Sequence, residues 1–140
     1  MKVSTRGRYS LRMLLDIAQH QHEGFVSLAD IAERQGISKK YLEQLIPALN
    51  KANMLLANRG FNGGYKLNRS LDEYTVGEIL RVAEKNILPV SCISEDCPEK
   101  CERYDDCLTM PVWKGLYKAV SDYLDSVTLK DIIEHRITVE

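Results

Sequence analysis

A mainly α-helical chain carrying one small β-hairpin is what these 140 residues predict. Apolar residues recur at helical spacing along most of the chain. Serines and threonines stand just ahead of those stretches, where helix caps belong. One stretch breaks the pattern: Met54–Asn58, the turn Arg59-Gly60-Phe61-Asn62-Gly63-Gly64 and Tyr65-Lys66-Leu67 read as strand, turn and returning strand. Hydrophobic residues make up 44% of the chain, enough for a core. The longest unbroken apolar run is four residues, Met54 to Ala57, whereas a membrane span needs about 20. The basic N-terminus has no signal-like apolar stretch behind it, so a cytoplasmic protein with no membrane partner is expected.

The first helix carries Leu11, Leu14, Leu15 and Ala18 on one face, and Gly24 closes the polar connection after it. Ser27 opens a second helix with Asp30 three residues on and Leu28, Ile31 and Ala32 as its inner stripe. Gly36 ends that helix, and Ser38 caps a third, lined by Leu42, Leu45, Ile46 and Leu49. Two short helices joined by a glycine-containing turn, about residues 28–51, describe a helix-turn-helix. With the hairpin at about 54–67 directly after them, the order is that of a winged helix-turn-helix, whose region is 1–72. Residues 73–140 continue with a Thr75–Glu78 capping box on a helix bearing Val76, Ile79, Leu80 and Ala83, then a loop over 86–111. A long helix follows with Trp113, Leu116, Tyr117, Val120, Tyr123, Leu124 and Val127 on one seam, and a short helix capped by Thr128 and Asp131. That seam spans roughly 22 Å. The winged region already closes its own core, so the long helix is expected to dimerise with its symmetry mate, folding back on its own domain being the alternative.

The net charge of −1 conceals an asymmetry. Residues 1–69 hold 11 Lys+Arg against 5 Asp+Glu, and residues 70–140 hold 8 against 15. A cationic front half suits a polyanion. On the third helix Lys40, Gln44, Pro47 and Lys51 face away from Leu42, with Glu43 on the flank. Lysine binds phosphate, glutamine pairs with adenine, and glutamate accepts from the cytosine amino group. Pro47 removes an internal hydrogen bond, so base contacts are expected from residues 38–44, at the positive end of the helix dipole. Arg59, before the wing glycines, suits a narrow minor groove. Arg6, Arg8 and Arg12 read as phosphate contacts or solvated cations. No P-loop, no G-x-S-x-G and no Cys–His pair close in sequence points to an enzyme.

All four cysteines lie in one 16-residue stretch as C-x4-C-x3-C-x5-C: Cys92, Cys97, Cys101 and Cys107. Such clustering without a secretory signal indicates metal or redox chemistry. Structural zinc usually uses a tight C-x2-C pair, absent here, while iron–sulfur clusters accept more varied spacings; zinc and a thiol switch stay open. Between Cys92 and Cys107 stand six acids against Lys100 and Arg103. Gathering thiolates there adds repulsion to the entropic cost of ordering the segment, so it is expected to be ordered with a metal centre and loose without one.

The blocks MKVSTRGRYSLRMLLDIA, SLADIAERQGISKKYLEQLIPAL, RGFNGGYKL and TVGEILRVAE resemble the Rrf-type bacterial transcription regulators, with IscR-like, NsrR-like and CymR-like members, over residues 2–133. The resemblance implies a homodimer on a partly palindromic double-stranded DNA operator. The implied DNA-facing set is Arg6, Arg8, Ser27, Ser38, Lys39, Lys40, Tyr41, Glu43, Gln44, Arg59, Gly63 and Gly64. It also implies an iron–sulfur cluster, [2Fe–2S] or [4Fe–4S], because cluster-binding members carry three cysteines in this loop. By that correspondence Cys92, Cys101 and Cys107 are ligands and Cys97 is the substitute fourth. IscR-like members have a histidine where this chain has Met110. NsrR-like members use an N-terminal acidic residue, and this chain has Arg8 in that neighbourhood. The family's wing usually reads Arg-Gly-Pro/Ala, where this chain has Phe61 and Asn62. The resemblance leaves an alternative in which the cysteines hold zinc or nothing and a partner enzyme governs the regulator, as in CymR-like members. An iron–sulfur electron carrier, a third possibility, has no use for the basic half and the wing.

Overall fold

The structure, a computed structural model, describes residues 1–95 and 101–140. In chain order the helices are α1 (Thr5–His20), α2 (Leu28–Gln35), α3 (Lys39–Lys51), α4 (Val76–Glu84), α5 (Met110–Ser126) and α6 (Leu129–Ile133). Strands β1 (Leu55–Asn58) and β2 (Gly64–Leu67) stand between α3 and α4. The mainly α fold with a hairpin wing is therefore present.

Ser4 caps α1, its hydroxyl accepting from the Gly7 N–H at 3.1 Å. The buried side of α1 is Gly7, Ser10, Met13, Leu14 and Ile17, shifted from the expected stripe; Leu11, Leu15 and Ala18 are half-buried at its margin. The shift has a simple cause. Helices α2, α3 and α4 and strand β2 all pack on α1, so its apolar sector must be wider than one stripe. Ser27 and Ser38 cap α2 and α3 by accepting from the N–H groups of Asp30 and Tyr41. Gly36 turns the chain between them with φ 63° and ψ 35°, a left-handed conformation open to glycine at little cost. Leu42, Leu45, Ile46 and Leu49 are buried as expected. Helix α3 continues through Pro47 to Lys51, so the proline removes one hydrogen bond without ending the helix.

The hairpin is antiparallel, with Leu55 opposite Leu67 and Asn58 opposite Gly64. Its inner residues Met54, Leu55 and Leu67 join the main core with Met13, Leu14, Ile17, Ile31, Leu42, Tyr74 and Ile79. A second, smaller core joins Val76, Leu80, Ile87 and Val127, with Tyr117, Leu124 and Ile132 packed on it. There α5 lies close to α4. A Cβ on Gly77 would sit 2.0 Å from Asp125 Oδ1, and Arg81 grips that carboxylate with two N–H groups at 2.6 and 2.9 Å. The backbone closes the junction: the Val76 N–H donates to the Val127 carbonyl at 2.9 Å and the Leu129 N–H to the Tyr74 carbonyl at 3.0 Å.

Two capping expectations divide. Thr128 and Asp131 form a reciprocal capping box on α6. Thr75 accepts from the Glu78 N–H, but the Glu78 carboxylate turns to Arg69 instead of back to Thr75, because that guanidinium offers it two hydrogen bonds, at 3.1 and 3.2 Å. No described helix is long and apolar enough to cross a membrane.

Candidate nucleic-acid interface and cysteine segment

Helix α3 presents Ser38, Lys39, Lys40, Glu43, Gln44, Pro47 and Lys51 to solvent. Its first two turns thus offer two lysines, a carboxylate and an amide towards the positive end of the helix dipole. Tyr41, also singled out from the sequence, is only half exposed. Its ring meets Tyr9 of α1 edge-on at 5.5 Å, and the Arg12 guanidinium lies over Tyr9 at 5.2 Å. Arg12 also bonds Gln35 at the end of α2, so it serves as a strut between helices. Arg6 and Arg8 are exposed on the first turn of α1, Arg8 donating to Thr5 Oγ1 at 3.1 Å. The Ser27 hydroxyl is occupied as the α2 cap.

One ionic clamp fixes α2 against α1. Asp16 is 1% exposed and accepts from Arg34 at 2.7 and 3.0 Å and from Gln35 Nε2 at 2.9 Å. Burial pushes its pKa up; the hydrogen bonds from Arg34 and Gln35 and the guanidinium charge outweigh that and hold it below its ordinary value. His20 joins this group: Nδ1 lies 2.8 Å from the Asp16 carbonyl.

The wing is braced at three points. Val26, just before α2, exchanges two backbone hydrogen bonds with Tyr65, at 2.8 and 2.9 Å. Gly64 allows this, since a Cβ there would lie 2.3 Å from the Val26 carbonyl oxygen. Gln21 Oε1 accepts from the Leu67 N–H at 2.9 Å. At the base, the fully buried Tyr74 hydroxyl donates to the Met54 carbonyl at 2.6 Å and accepts from the Asn68 N–H at 3.0 Å, bridging the two legs of the hairpin. Arg69 caps the Tyr74 ring at 4.5 Å while pairing with Glu78. Arg59 stands exposed at the outer end of the wing, with Gly63 and Gly64 half-buried in its turn.

Among the described cysteines, Cys92 and Cys107 are half-buried, Cys101 is exposed, and all three are free thiols. Cys97 lies outside the described residues. A hydrogen bond with the Thr109 hydroxyl, 3.3 Å from Cys107 Sγ, holds that thiol below its ordinary pKa. Among the described residues no three His, Cys, Asp or Glu side chains are grouped to hold a metal. The chemistry of the donors, free thiols in one segment, suits a soft metal centre. Met110 is buried at the start of α5.

Residues 3–135 match the Rrf2 family, described as iron-dependent transcriptional regulators. The chain belongs to this family. It is 38% identical over 136 residues to the HTH-type transcriptional regulator IscR of Erwinia tasmaniensis, an alignment covering 97% of this chain and 81% of the relative. Among solved structures it resembles CymR (YrzC), the global cysteine regulator of B. subtilis, with a TM-score of 0.77, 38% identity and coverage of 96% and 98%. T. potens IscR gives a TM-score of 0.76 at 38% identity, covering 100% and 93%. The protein is thus an Rrf2-type transcriptional regulator, of a family that binds DNA and whose named relatives are regulators rather than enzymes.

Within this Rrf2 protein, the side chains that hold the helices and the hairpin together are the ones the sequence does not mark. Asp16 and Arg34 were invisible as partners because they lie on different helices. Tyr74 fell in what reads as a polar connection. The signal it did leave is a tyrosine just ahead of a capped helix, large enough to need a buried site with a partner for its hydroxyl. Glu84, the last residue of α4, reaches the start of α1, where one of its oxygens accepts from both the N–H and the hydroxyl of Ser4 at 2.7 Å.

Proposed function

We propose that this regulator reads its operator with the first two turns of α3 and clamps the adjacent minor groove with the wing. In this reading Lys39, Lys40 and Tyr41 with Ser38 hold phosphates, Glu43 and Gln44 address base edges, and Arg59 enters the minor groove beside Gly63 and Gly64. Arg6, Arg8 and Ser27 flank the backbone. The observation that carries it is the tie between the wing and the helix-turn-helix: Val26 bonds Tyr65 of β2 one residue before the α2 cap, and the Met54 N–H at the foot of the hairpin donates to the Leu49 carbonyl of α3 at 3.1 Å. A homodimer fits a partly palindromic operator. Its interface is drawn along α5, where Leu116 and Tyr123 are exposed at 38% and 56% beside the half-buried Trp113 and Val120. Tyr117 and Leu124 pack on the protein's own second core and support that surface from behind.

The finer reading assigns Cys92, Cys101 and Cys107, with Cys97 as fourth ligand, to an iron–sulfur cluster. When bound, such a group supplies a thiolate-ligated iron centre that responds to redox or nitrosative chemistry. The chain's own contribution is the thiol set, whose thiolates repel one another when gathered unless iron offsets their charge. Operator affinity is expected to follow whether the thiols hold their iron. The family's iron-dependent description and the IscR relatives support this reading. Anaerobically purified protein should be brown, with iron and sulfide in matching amounts, and operators selected on metal-loaded and stripped protein should differ in affinity. Zinc alone, or a colourless dimer with unchanged affinity, would remove the cluster.

A second reading has a specific observation behind it. The described cysteines are not gathered, and CymR is a close structural neighbour. In this version the cysteines hold zinc or nothing and a partner enzyme sets the affinity. The iron and sulfide assay separates the two.

A further inference from the structure

The outermost residue of the wing is an aromatic ring in water. Phe61 is 97% exposed, the most exposed large hydrophobic side chain among the described residues. A lone exposed apolar residue is ordinary on a protein surface. What sets this one apart is how firmly the backbone holds it out. The Gly63 N–H donates to the Gly60 carbonyl at 2.9 Å, making Gly60–Gly63 a tight turn with Phe61 and Asn62 at its centre. Asn62 has a φ of 63°, the positive value required at the second central position of a type II turn, which asparagine tolerates. Gly63 is confined as well, since a Cβ there would lie 2.6 Å from the Asn58 carbonyl oxygen. The ring at the first central position is therefore directed away from the hairpin, on a wing anchored by Val26, Gln21 and Tyr74.

Building on the DNA-reading assignment above, we propose that Phe61 is an apolar wedge which the wing carries into the minor groove beside Arg59, biasing operator choice toward a flexible pyrimidine–purine step. Proteins that use the minor groove insert Phe, Leu, Ile, Met or Pro side chains between base pairs and kink the duplex there. T–A and C–A steps unstack most easily and so cost least to open. Arg59, two residues away, is drawn to the negative potential of a narrow A·T-rich groove and anchors the approach. Because the turn pre-sets the backbone that carries the ring, insertion costs only the side chain's own rotamer freedom. The wing would thereby read sequence through deformability, at positions α3 does not touch.

Operator selection from a random duplex pool with the dimer tests this, using wild type, Phe61→Ala and Phe61→Ser. The first central position of a type II turn has an ordinary negative φ that either residue adopts, so both variants keep the wing and remove the apolar ring. Both variants should melt as wild type does, because the side chain contributes nothing to the core. Wild type should enrich a motif with a pyrimidine–purine step under each wing, and both variants should lose that step. On a duplex carrying the step, each variant should bind about tenfold more weakly than wild type, and less than about twofold more weakly on a duplex where the step is replaced. With 2-aminopurine at the step, wild type should brighten the probe by unstacking it, and the variants should not. Unchanged motif, affinity and brightening in the variants would dismiss the wedge and leave the DNA-reading assignment intact. Equal weakening on both duplexes would make Phe61 a sequence-blind contact and also dismiss the wedge. Failure of wild type to enrich any motif would bring down the DNA-reading assignment and the wedge with it.

Discussion

Asp16 illustrates how much of this protein is decided by single side chains. Its native pKa is depressed by Arg34 and Gln35 against the opposing push of burial. A carboxylate so depressed contributes stability that is whole above the ordinary value of 3.8 and disappears as the pH falls through the native one. Asp16→Asn should therefore cost about 2 kcal/mol near neutral pH, less than a wholly buried pair would, because Arg34 is partly exposed. The difference from wild type should shrink below about pH 4; urea titrations at pH 7 and pH 3 measure both. Tyr74→Phe removes a hydroxyl that bonds both wing legs and should cost about 1–2 kcal/mol. If the wing clamps DNA, a cycle of Tyr74→Phe with Arg59→Ala should be non-additive in operator affinity. Additive losses would confine Tyr74 to stability. At this scale the sequence was legible where one residue acts on its own backbone, as Ser27, Ser38 and Gly36 do. It was opaque where residues act across helices, as Asp16 and Arg34 do.

At the scale of elements, periodicity located α2, α3 and the hairpin because each buries a single face. It misplaced the stripe of α1 because that helix is packed on several sides, and a wide apolar sector fits more than one stripe equally well. The long α5 seam was read as one surface, but the fold divides it. Tyr117 and Leu124 face α4, while Leu116 and Tyr123 face outward. The division predicts opposite phenotypes. Leu116→Asp or Tyr123→Glu should give a folded monomer by analytical ultracentrifugation with an unchanged far-ultraviolet spectrum. Leu124→Asp should lower the melting temperature by several degrees, because it places a charge against Val76 and Leu80. A dimer that survives both outward substitutions would move the interface elsewhere.

For the molecule as a whole, the charge asymmetry and the order helix-turn-helix, wing, cysteine segment, long helix were plain in the sequence. Distance-dependent facts, above all whether the thiols converge, were not, since spacing along a chain says nothing about a loop's path. The cationic first half makes one global prediction. Operator affinity should fall linearly on a log–log plot against salt, with a slope of roughly −0.9 per phosphate contact. Lys40→Ala should reduce the slope by about one. A flat dependence measured by fluorescence anisotropy would contradict the role given to this half. The contact between Glu84 and Ser4 has a wider consequence. A Cβ at position 7 would lie 2.1 Å from the Glu84 oxygen, so even alanine there would push that carboxylate aside. The leading edge of α1, with Arg6 and Arg8 on it, is thus leashed by one oxygen atom to the threshold of the cysteine segment, 80 residues further along the chain. In the proposed reading a shift at that threshold would pass to the two arginines through Ser4 as well as through the packing of α1 on α4, and alanine at position 7 would displace the carboxylate while leaving every cysteine and every candidate DNA-facing side chain in the sequence unchanged.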